Sequence, residues 1–328
     1  MTATTTMKVL VADKFEQVGI DGLKALGCEV LYDAAAGPKV ADAIAAANPD
    51  ILVVRSSKVP GAALEKASNL KVIIRAGAGV DNIDVPAATS RRIQVCNCPG
   101  MNAVAVAELA MGLLICCDRR IADQCTELKN GHWNKKGFAK AKGLKGMTLG
   151  VIGVGAIGQE VIKRAVAFGM DVVVWSRSIT PQHAQALSAR LGGNTTPDLL
   201  ELAKTCDAIT VHLPAAASTN KLFGKQFFDA MKPGAYFINT SRGSLVDDAA
   251  LCEAVTNKGV RAGLDVYEGA PAEGDAPFDC NLAKLPGVYT THHIGASTDQ
   301  AQLAVAQEVV RIVQVYKDKG KVENSVNP

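Results

Sequence analysis

The chain has 328 residues, 48% of them hydrophobic and 20% charged, which suits two domains with separate cores and excludes a disordered or fibrous protein. Its net charge is +3, and its densest basic cluster (Lys135, Lys136, Lys140, Lys142 and Lys145) has no aromatic interleaving beyond Trp133 and Phe138, so it reads as a solvated face or anionic-ligand rim and not as a nucleic-acid stripe. Nine irregularly spaced cysteines fit neither a metal site nor a disulfide framework and indicate a reducing, cytoplasmic setting; the polar start Met1 to Lys8 is no signal peptide, and the apolar run Val104 to Cys117 is too short for a bilayer.

In chain order, Val9 to Ala12 reads as a buried strand, Val18 to Leu26 as a helix and Cys28 to Tyr32 as a second strand. Val40 to Ala47 is helical, Asp50 to Val54 a strand ending at Arg55, Gly61 to Ala67 helical, and Leu70 to Arg75 a strand that again ends in arginine. A helix over Asn82 to Thr89 and a strand over Ile93 to Asn97 follow, and Pro99-Gly100 marks a boundary. Such alternation with short connections is the pattern of a parallel sheet. One long helix is predicted from Ala103 to about Cys125, apolar on nearly every face through Cys117, hence buried between domains or between subunits. Lys129 to Leu144 forms a polar arm.

A second alternation begins at Met147. Strands are predicted over Met147 to Gly153, Asp171 to Trp175, Ala208 to His212, Ala235 to Asn239, Arg261 to Asp265 and Val288 to Thr291. Helices are predicted over Ile157 to Phe168, Pro197 to Lys204, Lys225 to Met231, Asp247 to Lys258 and Thr298 to about Tyr316. No internal repeat is visible.

Between the first strand and helix of this half lies Gly153-Val-Gly155-Ala156-Ile157-Gly158. In that context the motif binds a dinucleotide: Gly153 permits the tight turn, Gly155 lets the backbone approach a pyrophosphate, and Gly158 lets the helix pack close to the sheet. A carboxylate at the end of the next strand would accept the ribose hydroxyls of NAD. Ser176 and Arg177 stand there instead, and both suit a 2′-phosphate, which favours NADP or the use of both cofactors.

Of five histidines, His293 follows the last strand of this half and precedes Ile294-Gly295-Ala296, at the sheet edge where ligands bind; its imidazole could carry a proton near neutral pH. His292 alternates to the other side and reads as structural; His212 ends a strand before Leu213 and Pro214 and could line the cofactor cleft; His132 and His183 read as surface residues. Arg242 follows Thr240 and Ser241 at another strand end and can clamp a carboxylate with its planar fork. Asp265 ends a third strand and is expected to face the nicotinamide.

These residues resemble the D-isomer-specific 2-hydroxyacid dehydrogenases, and within them the phosphoglycerate dehydrogenase branch. The resemblance rests on Val54-Arg-Ser56, on Arg75-Ala-Gly-Ala-Gly-Val-Asp-Asn-Ile-Asp84, on Asn102 with Ala107-Glu-Leu109, and on the glycine motif. It continues through Asn239-Thr-Ser-Arg-Gly-Ser-Leu-Val-Asp247, Gly263-Leu-Asp-Val266 and His293-Ile-Gly-Ala-Ser-Thr298. The family fold implied is α/β with two parallel sheets, the nucleotide domain (about 101–295) inserted into a substrate domain made of 1–100 and 296–328. The resemblance further implies a homodimer built around the inserted domain, a small anionic 2-hydroxy or 2-keto acid as partner, no nucleic acid and no membrane. A C-terminal regulatory domain of the larger members is not expected here. Arg242 would bind the substrate carboxylate and His293 act as acid and base. Arg55, Ser56, Arg75, Ala76, Gly77 and Asn102 would line the substrate side, and Lys135 or Lys136 could reach a neighbouring subunit's site. Thr219, Gly295 and Ala296 join the cofactor set.

Two arginines, Arg55 and Arg75, suit a second anionic group, because a methyl group there would leave a guanidinium without a partner. One departure stands out. The family pattern places a glutamate five residues after the aspartate, where this chain has Ala270, and an alanine can neither orient an imidazole nor stabilise its charged form. Glu268 and Glu273 are the nearby substitutes. Two further readings stand beside the dehydrogenase: an NADPH-dependent glyoxylate or hydroxypyruvate reductase, supported by Ser176 and Arg177, and a catalytically weak dinucleotide-sensing protein, supported by Ala270.

Overall fold

The computed structural model describes residues 6–177, 193–196, 198–271 and 275–328. His183, Ser178, Pro197 and Glu273 lie outside the described residues. The chain divides into two compact units: Met1–Asn102 with Pro271–Ala276 and Ser297–Pro328, and Ala103–Ala270 with Pro277–Ala296. Both chain ends thus contribute to the first unit, and the second is inserted between them.

The first unit is a five-stranded parallel sheet in the order β2-β1-β3-β4-β5, from β1 (Lys8–Val11), β2 (Glu29–Tyr32), β3 (Ile51–Val54), β4 (Val72–Arg75) and β5 (Gln94–Asn97). β3 is Ile-Leu-Val-Val and is buried at every position, as a central strand covered on both faces must be. Helices α2 (Val40–Ala47), α3 (Gly61–Leu64) and α4 (Val85–Ser90) cover one face; there Ile44, Leu64 and Ala88 pack with Leu52, Ile73 and Val95. α4 starts at Val85 because the Asp84 carboxylate accepts from the Ala87 N–H at 3.0 Å. The other face is covered by α1 (Gln17–Ala25) and by the last helix (Asp299–Lys319), whose Val305, Val309, Ile312 and Val313 fill the core. The closing residues are tied back to β5, where Asn327 Oδ1 accepts from the Val95 N–H at 2.7 Å.

The second unit is a seven-stranded parallel sheet in the order β12-β11-β10-β9-β6-β7-β8. Its strands are β6 (Thr148–Ile152), β7 (Asp171–Trp175), β8 (Gly193–Thr195), β9 (Ala208–Val211), β10 (Tyr236–Asn239), β11 (Arg261–Leu264) and β12 (Val288–Thr290). The strand order reverses between β6 and β9, and all seven C-terminal ends lie on one edge. The expected pair of parallel sheets is therefore present.

Two expectations are corrected. The long helix is two helices, α5 (Ala103–Arg119) and α6 (Ile121–Lys129), parted by Arg120 at φ +54°, a left-handed residue that no α-helix continues through. Also, α5 covers its own sheet: it packs on β10, β11 and β12 and on α7 (Ala156–Ala167), which accounts for most of its apolar residues. Among the described residues no helix is long and apolar enough to cross a membrane.

Candidate active site

The glycine turn opens the site. Gly153 has φ +99°, and a Cβ there would lie 2.3 Å from the His212 carbonyl oxygen. At Gly158 a Cβ would meet the Gly153 carbonyl oxygen at 2.0 Å, so the first turn of α7 can rest on the strand only without a side chain. Gly155 is the opposite case: nothing lies within 4 Å of its added Cβ. No side chain caps α7, and Gly155 and Ala156 are exposed while Ile157 is partly buried. Unclaimed N–H groups beside open space make an anion seat.

Across this turn reaches Arg177. It leaves the end of β7, and its Nη1 donates to Ser218 Oγ at 2.6 Å and its Nη2 to the Ser218 carbonyl at 3.3 Å. Ser218 lies in the loop after β9, and β6 runs between β7 and β9, so the guanidinium spans the switch point. Ser176 is partly buried beside it. In the β9 loop, Thr219 is buried and its hydroxyl closes the turn, donating to the Pro214 carbonyl at 2.9 Å and accepting from the Ala216 N–H at 2.8 Å. Leu213 is partly buried and Pro214 exposed.

His212 and Thr240 occupy equivalent places one residue past the paired ends of β9 and β10. His212 Nε2 bonds Thr210 Oγ1 at 2.9 Å, while His212 Nδ1 and Thr240 Oγ1 are buried without a partner. Burial pushes the His212 imidazole down to about 3, so it stays neutral at pH 7. Two orphaned polar atoms at neighbouring strand ends, with the open seat at Gly155, fit a polar dinucleotide.

The β10 loop presents Arg242. Asn239 Nδ2 donates to the Arg242 carbonyl at 2.9 Å, Asn239 Oδ1 accepts from the Ser241 N–H at 3.0 Å, and Ser241 Oγ donates to the Val211 carbonyl at 2.7 Å. Arg242 Nη1 donates to the Ser241 carbonyl at 2.7 Å. Gly243 carries the backbone of Tyr267 and Glu268 directly above it, 2.1 Å from an added Cβ, so any side chain there would displace the segment leading to Ala270.

The β11 and β12 ends hold the remaining groups. Asp265, expected at the nicotinamide end, directs both oxygens to the 291–295 loop: Oδ1 accepts from Thr291 Oγ1 at 2.6 Å and the Ile294 N–H at 2.9 Å, and Oδ2 from the Gly295 N–H at 2.9 Å. His293 is exposed with φ +53° in that loop, Gly295 is buried against Asp265, and Ala296 is partly buried. His292, expected as a structural residue, is exposed: β12 ends at Thr290, so strand alternation does not reach it. Ala270 is partly buried. Glu268, one candidate substitute for the missing carboxylate, pairs with Lys221 at 3.7 Å on the surface. His132 is exposed beside Glu127 at 3.1 Å, as a surface residue.

In the first unit, Arg55 and Ser56 follow β3. Sequence reasoning missed their anchor, Asp13, a buried carboxylate past β1. Asp13 Oδ2 accepts from the N–H groups of Arg55, Ser56 and Ser57 at 2.5, 3.2 and 3.2 Å, and Oδ1 from Ser57 Oγ at 2.5 Å. A cavity of about 380 Å³ shares Ser56 and Ser57 and is walled by Pro38, Val40 and Lys58. Arg75 lies over Gly77: a Cβ at Gly77 would sit 1.7 Å from Arg75 Nη1, and φ +148° there already favours glycine. Ala76 is buried, and Asn102 Oδ1 is buried without a partner.

A doubly wound sheet with a glycine turn at its switch point, and with an arginine after β10 and a histidine after β12 on the same edge, defines a dinucleotide-dependent class of protein. The model of the D-isomer-specific 2-hydroxyacid dehydrogenase NAD-binding domain matches residues 111–295, and the chain belongs to that family. It is 40% identical over 323 residues to a D-3-phosphoglycerate dehydrogenase of Methanocaldococcus jannaschii, covering 98% of this chain but 59% of that protein. The chain therefore spans little more than half the length of that relative. It is 43% identical over 273 residues to a hydroxypyruvate reductase of Thermotoga maritima, covering 83% of this chain and 85% of that one. A solved NADPH-dependent glyoxylate/hydroxypyruvate reductase from Sinorhizobium meliloti, in complex with NADP and malonate, superposes with a TM-score of 0.82 at 27% identity over 98% of this chain and 97% of that one.

Proposed function

We propose that this protein interconverts a small anionic 2-hydroxy acid and its 2-keto acid, using NAD or NADP. The observation that supports this most is the presentation of Arg242 and His293 at strand ends of the sheet that carries the Gly153–Gly158 turn. The bound nicotinamide supplies the hydride acceptor or donor. The chain's residues supply the rest: the Arg242 guanidinium holds the substrate carboxylate, and His293 takes the hydroxyl proton during oxidation and returns it to the carbonyl oxygen during reduction. The α7 N-terminus and Gly155 seat the pyrophosphate, and His212 Nδ1 and Thr240 Oγ1 are polar partners for the buried end of the cofactor.

The substrate we favour carries a second anionic group, as 3-phosphoglycerate does, because Arg55 and Arg75 stand at the ends of β3 and β4, positions that the family resemblance assigns to the substrate side. The similarity to the M. jannaschii D-3-phosphoglycerate dehydrogenase supports it. A second reading, reduction of glyoxylate or hydroxypyruvate with NADPH, is favoured by Ser176 and Arg177. The α5–α6 region and the exposed Trp133 of the basic arm suit a homodimer.

Steady-state kcat/KM over phosphohydroxypyruvate, hydroxypyruvate and glyoxylate, each with NADH and NADPH, tests the reading. A phosphorylated substrate preferred at least tenfold is expected. Equal or better rates with glyoxylate would move the assignment to the reductase, and no turnover of any of the acids would overturn both.

A further inference from the structure

Asp265 is 1% exposed. Its three acceptor contacts fall on Thr291, Ile294 and Gly295, and so bracket His293 on both sides. The bracket is reinforced from below: the Thr291 N–H donates to the Leu264 carbonyl at 2.9 Å, and the Tyr267 hydroxyl contacts the carbonyls of Leu264 and Thr291 at 2.9 and 2.8 Å. Between these fixed points His293 takes φ +53°, a left-handed conformation that is uncommon outside glycine. Gly295 fits because its missing Cβ leaves the Asp265 oxygen room at 3.1 Å.

We propose that Asp265 is a positioning residue for His293, acting through the backbone: its three acceptor bonds fix the left-handed turn and with it the direction in which the His293 side chain leaves the chain. The inference rests on the reading of His293 as acid and base. A carboxylate suits this role better than an amide would. Three donors converge on its two oxygens, and an amide would turn one of them into a donor facing an N–H.

The proposal is tested on the full chain with Asp265→Asn and Thr291→Val, each alone and combined with Ala270→Glu. Three quantities are measured: kcat at saturating cofactor, the Kd of NADPH by fluorescence titration, and the His293 ring signals by NMR. Asp265→Asn should lower kcat roughly a hundredfold and Thr291→Val roughly tenfold, with the NADPH Kd within about twofold of the parent. Ala270→Glu should recover about fivefold of the rate lost by Thr291→Val, since a carboxylate at 270 holds the ring independently of the loop. In both single variants the His293 signals should broaden or split. Unchanged kcat in both, or a loss confined to NADPH affinity, or unchanged His293 signals, overturns the proposal. Thr291→Val removes a single hydroxyl and serves if Asp265→Asn does not fold. A parent inactive on every acid sinks the functional reading, while the ring signals still decide whether Asp265 holds His293.

Discussion

On the proposed function, Arg177 and Ala270 each set an expectation. Arg177 reaches Ser218 with both terminal nitrogens, and a 2′-phosphate would offer the same fork a charged partner. Arg177→Ala should therefore lower kcat/KM for NADPH about tenfold or more while changing that for NADH less than threefold. A preference of the parent for NADH above about a hundredfold, roughly 2.7 kcal/mol, would sink the idea of NADPH use. Ala270 sets the second expectation. A carboxylate beside an imidazole favours its protonated form, and reduction of a keto acid needs that form. Ala270→Glu should move the alkaline limb of the reductive pH–rate profile upward; a limb that stays in place means that the new side chain does not reach the ring. Glu268 is held by Lys221, so Glu268→Gln should leave the profile where it was.

At the scale of elements, two loops with site residues are held by the same device, a carboxylate lent by a neighbouring strand end. Asp13 does this for Arg55 to Ser57. Replacing it by asparagine removes the negative charge on which three N–H groups converge, so Asp13→Asn should raise KM for a phosphorylated substrate about tenfold and leave that for glyoxylate nearly unchanged. Equal losses on both would mean a general collapse of the β3 loop. None of this was legible in the sequence, because Asp13 and Arg55 are 42 residues apart and nothing local marks the pairing. What was legible had a local cause. Apolar runs gave the strands to within a residue or two, and the spacing of Gly153, Gly155 and Gly158 gave the turn. Failures also have physical reasons: Arg120 breaks the long helix without the glycine or proline that usually announces a break, and β8, at three residues, is too short for a hydrophobic period to register.

At the scale of the molecule, burial keeps the His212 imidazole neutral, and this has a consequence for acid stability. Folded His212 binds a proton only near pH 3, because burial opposes its charge, whereas the unfolded chain binds one near 6.5. Between those values the unfolded state holds the extra proton, so stability falls as pH falls, by at most about 1.4 kcal/mol per unit. Unfolding free energies from urea titrations at pH 6.5 and 5 should differ by up to about 2 kcal/mol on this account, and His212→Asn should flatten the difference. An identical loss in both proteins would assign the acid sensitivity elsewhere.

His293 sits where the backbone is left-handed, and the amino acids that tolerate such a position are few. Glycine does so freely, asparagine, aspartate and histidine with modest strain, and branched residues poorly. A requirement for both a proton-carrying ring and this turn leaves histidine alone among the twenty, which makes the position chemically irreplaceable yet conformationally easy to mimic. Asparagine is then the replacement of choice for an inert form that keeps its shape: His293→Asn should abolish turnover, hold Tm within about 2 °C of the parent and still bind cofactor. It would be the form in which to trap the protein with an authentic substrate, and a large fall in Tm would show that the turn needs more than a left-handed residue to form.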